Sequence, residues 1–126
     1  MSNVHKHHPI LKSLSFAWQG VLHTIRNQRN MRIHLVVAFI VLFAGWWFHC
    51  SRMEWCILLF CIGVVLSAEM LNSAIEDLTD HVSPEWNKHI GAIKDMAAAA
   101  VLILAMISFA AGLIIFVPKI FHLTCN

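Results

Sequence analysis

Glu69-Met-Leu-Asn72-Ser-Ala-Ile-Glu76, with Asp80 one turn further on, puts carboxylates at the end of a segment that otherwise reads as membrane-embedded. Ionisable groups are costly in hydrocarbon, so those found there are functional candidates. At about 100° per residue, positions 69, 72, 76 and 80 fall within roughly 80° of one another and form one polar stripe on a helix. A rise of about 1.5 Å per residue sets Glu69 about 10 Å deeper than Glu76 and about 17 Å from Asp80. Such a stripe runs from water to below the headgroups. It suits the joining of a water-soluble phosphate donor to a lipid head, with the outer carboxylates holding a divalent cation and the deepest one taking a proton. Mg²⁺ fits, because it favours one or two carboxylates together with substrate phosphates.

The elements that must position this stripe are membrane spans. Of 126 residues, 59% are hydrophobic and 13% charged, against about 25% charged in soluble domains. Three apolar stretches are long enough to cross a hydrocarbon core of about 30 Å: residues 33–50, 55–75 and 96–117. The run from Trp55 to Ala68 is too short alone, so the second span reaches full length only by including Glu69 and Asn72. Residues 10–27 read as an amphipathic helix, with Leu14, Trp18, Val21, Leu22 and Ile25 at helical spacing, lying on the inner membrane surface. The predicted fold is therefore all-α and integral to the membrane, a single domain over residues 1–126.

Orientation follows from Lys and Arg placement. Lys6, Lys12, Arg26, Arg29 and Arg32, with Lys88 and Lys94, lie on one side, and Arg52 and Lys119 on the other. Seven against two puts the N-terminus and the 77–95 loop in the cytosol and the C-terminus outside. No cleavable leader is expected, since residues 1–32 lack an apolar core after the basic tip. Trp46, Trp47 and Trp55 suit an outer aromatic belt or a packed helix interface equally. Three spans bury little of their own surface, and a span carrying Glu69 needs a non-lipid neighbour, so self-association is expected.

Other residues narrow the chemistry. Cys50, Cys56, Cys61 and Cys125 form no CxxC pair and read as small buried apolar side chains. His5, His7 and His8 sit in a flexible-looking tail, and the other histidines are scattered. Neither a GxxxxGK[ST] loop nor a GxGxxG turn is present, so a nucleotide would be held by helix side chains. No nucleic-acid partner is expected. Lys94 and Asp95 fall at the start of the third span, after Pro84 and Gly91, where a helix N-terminus favours anions. Lys94 can hold phosphate as a point charge, or serve as a boundary anchor.

Three stretches carry a resemblance over about residues 16–117: Arg29-Asn30-Met-Arg32-Ile-His34, Glu69 to Asp80, and Lys94-Asp95-Met-Ala-Ala-Ala-Ala-Val101. Together they closely resemble the small prokaryotic diacylglycerol kinase and undecaprenol kinase family. The resemblance implies a homotrimer of three-span subunits with a surface helix, active sites shared between neighbours at the cytosolic face, and ATP as phosphoryl donor. It also implies roles: Glu69 as catalytic base beside the lipid hydroxyl, Glu76 as metal ligand, and Asn72, Glu76, Asp80, Lys94, Asp95 and Arg32 around the nucleotide. The stretches at 29–34 and 54–56 look more like the undecaprenol branch. Location in a prokaryotic cytoplasmic membrane follows.

One position departs from that pattern. Gln28 stands where the family usually has a Glu that is a second carboxylate ligand to the metal, and an amide offers an oxygen without charge. The leading reading is a lipid kinase. The second is a catalytically impaired or non-enzymatic scaffold, supported by Gln28. The third is an ion transporter, opposed by a third span without ionisable residues and a first span with only His34 near its inner end.

Overall fold

In the computed structural model, residues 10–85 and 87–124 are described. His5, Lys6, His7, His8 and Cys125 lie outside them. Among the described residues the regular structure is helical: α1 Ile10–Asn27, α2 Arg29–Trp47, α3 Arg52–Val82 and α4 Lys88–Thr124. Three helices, α2, α3 and α4, are long and apolar enough to cross a membrane.

Short local signals set the boundaries. Gln28 alone separates α1 from α2; its backbone is extended (φ −103°, ψ 118°), and its side chain does not cap α2. Its amide still donates to Thr24 O at 2.8 Å, so α1 closes its last turn before the chain redirects. The first span stops at Trp47, three residues short of Cys50, because a Schellman turn intervenes. His49 takes φ 50°, and the His49 and Cys50 amides donate to Trp46 O and Gly45 O at 3.2 and 3.0 Å. Ser51 then opens α3 with a capping box, accepting from the Glu54 amide at 3.3 Å while its own amide donates to Glu54 Oε2 at 2.7 Å.

The second span runs on to Val82 rather than ending at residue 75. Its 31 residues make about 46 Å of helix, more than a hydrocarbon core of about 30 Å, so one end must project into water. The 77–95 loop thereby shrinks to the residues between α3 and α4. Asn87 caps α4, its Oδ1 accepting from the His89 amide at 2.9 Å and its carbonyl from the Gly91 amide at 2.9 Å. Helix α4 thus begins at Lys88, with Gly91 inside it. Lys94 and Asp95 do not stand at a helix N-terminus, and the backbone-amide argument for an anion there fails, since those amides fall within the helical ladder.

Helix α3 packs most extensively on α4, then on α2, and least on α1. It lies close to α2 at Gly45, where a Cβ would lie 3.1 Å from the Trp55 ring and 3.4 Å from Leu58. Trp55 is therefore a packed interface residue, whereas Trp46 and Trp47 stay exposed. Cys56 is exposed and Cys50 and Cys61 half-buried, contrary to the expectation of buried thiols. At the far end from the α3–α4 turn, Lys119 pairs with Glu54 at 3.0 Å.

Candidate active site

The polar stripe lies on the packed face of α3. Leu58, Val65, Glu69, Asn72, Ser73 and Thr79 are its buried residues. Exposure rises along the stripe: Glu69 is 2% exposed and Asn72 4%, Glu76 is half-buried, and Asp80 is exposed. The helix therefore carries acceptors from its exposed C-terminal end into its packed middle. Ser73 and Thr79, which sequence reasoning did not single out, are satisfied by the helix itself. Ser73 Oγ donates to Glu69 O at 2.8 Å, and Thr79 Oγ1 to Ile75 O and Glu76 O at 2.8 and 2.9 Å. Back-bonded hydroxyls are a common answer to polarity in apolar settings.

Asn72 Nδ2 donates to Glu76 Oε1 at 3.3 Å, as i and i+4 neighbours on one face allow. Its carbonyl oxygen, buried, has no hydrogen-bond partner. A buried acceptor without a donor is costly, and its presence points to a ligand or partner group. Lys94 Nζ donates to Asp80 Oδ1, tying α4 to the outer end of the stripe. Across the bundle, His34 Nε2 of α2 lies 3.9 Å from Glu69 Oε2. His23 of α1 pairs with Asp77 at 3.6 Å, though both side chains are exposed.

The predicted residues divide accordingly. Glu69, Asn72, Glu76 and Asp80 share the α3 face, and Lys94 joins them through Asp80. Arg32 and Asp95 are exposed, and among the described residues no hydrogen bond or ion pair joins either to the stripe. Gln28 is half-buried at the α1–α2 break. The contacts His34–Glu69 and Lys94–Asp80 cross between helices, so spacing along one helix gives no sign of them. An apolar groove of about 540 Å³ between α2, α3 and α4 opens beside this site, its walls including Ile33, His34, Leu58, Leu66 and Phe116.

Comparison with known proteins decides what this constellation belongs to. The pattern described as prokaryotic diacylglycerol kinase matches residues 15–116, from α1 through most of α4. The chain belongs to the prokaryotic diacylglycerol kinase family. Among its relatives, the undecaprenol kinase of Bacillus subtilis (strain 168) is 39% identical over 86% of this chain and 89% of its own length. The diacylglycerol kinase of Synechocystis sp. is 30% identical over 90% of this chain and 66% of its own length. That of Escherichia coli (strain K12) is 28% identical over 79% of this chain and 81% of its own. The family match spans the α3 stripe and Lys94-Asp95.

Proposed function

We propose that the chain is an ATP- and Mg²⁺-dependent kinase that phosphorylates the hydroxyl of a membrane lipid at the cytosolic face, with undecaprenol as substrate and diacylglycerol as the runner-up. The carrying observation is Glu69, 2% exposed, at the deep end of a stripe whose outer carboxylates are open. That arrangement suits a lipid hydroxyl below the headgroups and a phosphate donor above them. The choice of undecaprenol rests on the Bacillus relative bearing that name at 39% identity, against 28–30% for the two diacylglycerol kinases.

In this reading the lipid oxygen attacks the γ-phosphorus, and its proton passes to the Glu69 carboxylate. The bond to the β–γ bridging oxygen breaks with its electron pair going to ADP. Glu69 is thus general base and lipid-site residue. Lys94 offsets charge on the phosphates, released from or shared with Asp80. Asn72 lends its unpartnered carbonyl to a nucleotide donor, and Arg32 and Asp95 complete the nucleotide site from neighbouring surfaces. Glu76 and the amide oxygen of Gln28 are hard oxygen donors of the kind Mg²⁺ takes. Among the described residues no three His, Cys, Asp or Glu side chains cluster for a metal, which is compatible with an ion held by few protein ligands plus phosphates. Held by Glu76 and Gln28, Mg²⁺ would supply positive charge to offset that of the transferring phosphate.

The same reading takes the chain as one membrane-embedded domain in a prokaryotic cytoplasmic membrane, N-terminus cytosolic and C-terminus outside, with α1 on the inner surface. Most of the surface of α3 and α4 is left unburied within one chain, which leaves room for the homotrimer with shared sites that the family resemblance implies. Gln28 is the one residue that favours a non-catalytic scaffold instead. The test is transfer of labelled phosphate from ATP to undecaprenol and to diacylglycerol, side by side in Mg²⁺-containing micelles. Transfer to either supports the kinase, and transfer to neither overturns it.

A further inference from the structure

From Ile33 to Trp47, His34 is the one ionisable residue of α2, and the fold sets it against the deepest carboxylate of α3. Its Nε2 lies 3.9 Å from Glu69 Oε2, with the two side chains 24% and 3% exposed. The same imidazole lines the apolar groove between the spans. A base as buried as Glu69 has a difficulty that an exposed one lacks: each turnover leaves it protonated, with little water at hand to take the proton away. A second titratable group 3.9 Å away, which a small side-chain movement brings to hydrogen-bond distance, removes that difficulty. Histidine suits the task, because its ring can bind a proton at one nitrogen and release one from the other.

We propose that His34 and Glu69 form a proton-handling pair in which His34 is a positioning residue, orienting the carboxylate and then relieving it of the lipid's proton. The inference rests on the reading of Glu69 as base. During transfer the lipid O–H proton moves to Glu69 as the O–P bond forms and the bond to ADP breaks. The Glu69 O–H bond then gives up its proton to the neutral imidazole at Nε2, leaving carboxylate and imidazolium. The ring returns to neutrality by losing the Nδ1 proton to water, and a ring flip or proton exchange with water then turns an unprotonated nitrogen to Glu69 again, so neither charge nor tautomer changes over a cycle.

The neighbouring groups leave this role to His34. Glu76 on α3 accepts from Asn72 Nδ2 at 3.3 Å. Helix α4 contributes Ala105, Ser108 and Phe109 to the groove wall, none ionisable, and Cys61 is the groove's other titratable side chain. His23 of α1 is engaged with Asp77 and Lys94 of α4 with Asp80. Arg29 and Arg32 of α2 are exposed.

The test uses the full chain in micelles with ATP, Mg²⁺ and the lipid that the wild type phosphorylates. His34→Gln keeps polarity and similar bulk but cannot carry the proton, and it should lower kcat by roughly 10-fold or more while the KM values for ATP and lipid stay within about threefold. The acid limb of kcat should fall with a two-proton slope in the wild type and a one-proton slope in H34Q. His34→Ala should regain part of its rate when free imidazole is added. Should H34Q fail to assemble, His34→Asn gives the same readouts. Variants that keep the wild-type rate and pH profile overturn the pair. So does a rate loss that appears in KM, leaves the slope unchanged and ignores imidazole, since that marks a packing role. A wild type that phosphorylates neither lipid overturns the kinase reading and the pair with it.

Discussion

Asn72 gives its amide to Glu76 Oε1 at 3.3 Å while its own carbonyl oxygen stays buried without a donor. The pair fixes one carboxylate oxygen and leaves an acceptor in want of a ligand. Asn72→Ala should therefore raise the KM for ATP by roughly 10-fold or more, as loss of a buried polar contact does. Stability should change by less than about 1 kcal/mol, because the lost hydrogen bond is offset by removing the unpartnered oxygen. ATP titration and thermal unfolding in micelles measure the two effects.

Glu69→Gln keeps the shape of the side chain and its capacity to hydrogen-bond but removes the proton acceptor. Transfer should fall by roughly 10²–10⁴-fold, with assembly unchanged by size-exclusion chromatography. Full turnover would show that Glu69 is not the base.

The stripe was legible in the sequence because its residues sit on one helix, where spacing alone fixes relative direction; Glu69, Asn72, Glu76 and Asp80 share a face as their numbers require. The three spans were legible for the same reason, through length and hydropathy. What composition hid were the caps. The left-handed His49 trims the first span, the capping box at Ser51 and Glu54 opens α3, and Asn87 starts α4 early enough to carry Lys94 and Asp95 off the helix terminus. Contacts between helices were also out of reach, since His34 meeting Glu69 depends on the register of α2 against α3, which no local pattern encodes.

That register has a tight point. A methyl group on Gly45 would sit 3.1 Å from the Trp55 ring, so the ring must give way, and this overpacking opposes the gain in helix propensity that Gly45→Ala would otherwise bring. Gly20 of α1 has nothing within 4 Å of the corresponding position, and Gly20→Ala should instead gain up to about 1 kcal/mol of helix propensity. A lower melting temperature for Gly45→Ala than for Gly20→Ala is the expected result.

His49 holds φ 50° at the end of α2, a conformation that costs a side chain about 1–2 kcal/mol and glycine little. His49→Gly should raise stability by about 1 kcal/mol without altering turnover. A lower melting temperature would mean that the imidazole makes a contact outweighing the strain.

Gln28 is the position where metal binding can be read directly. It caps α2 without a side-chain hydrogen bond, so its amide is not committed to the helix, and it lies at the break where α1 turns into the first span. If this oxygen serves Mg²⁺, restoring a charge by Gln28→Glu should lower the Mg²⁺ concentration for half-maximal rate and raise the rate at limiting metal, because a hard cation prefers carboxylate to amide. The new charge would also face the N-terminus of α2, a favourable interaction of about 0.3–1 kcal/mol, so lost stability should not mask the effect. Mg²⁺ titrations of the two forms decide the matter. A lower half-maximal Mg²⁺ concentration in Q28E assigns position 28 to the metal, whereas identical curves place the second oxygen donor elsewhere on the stripe.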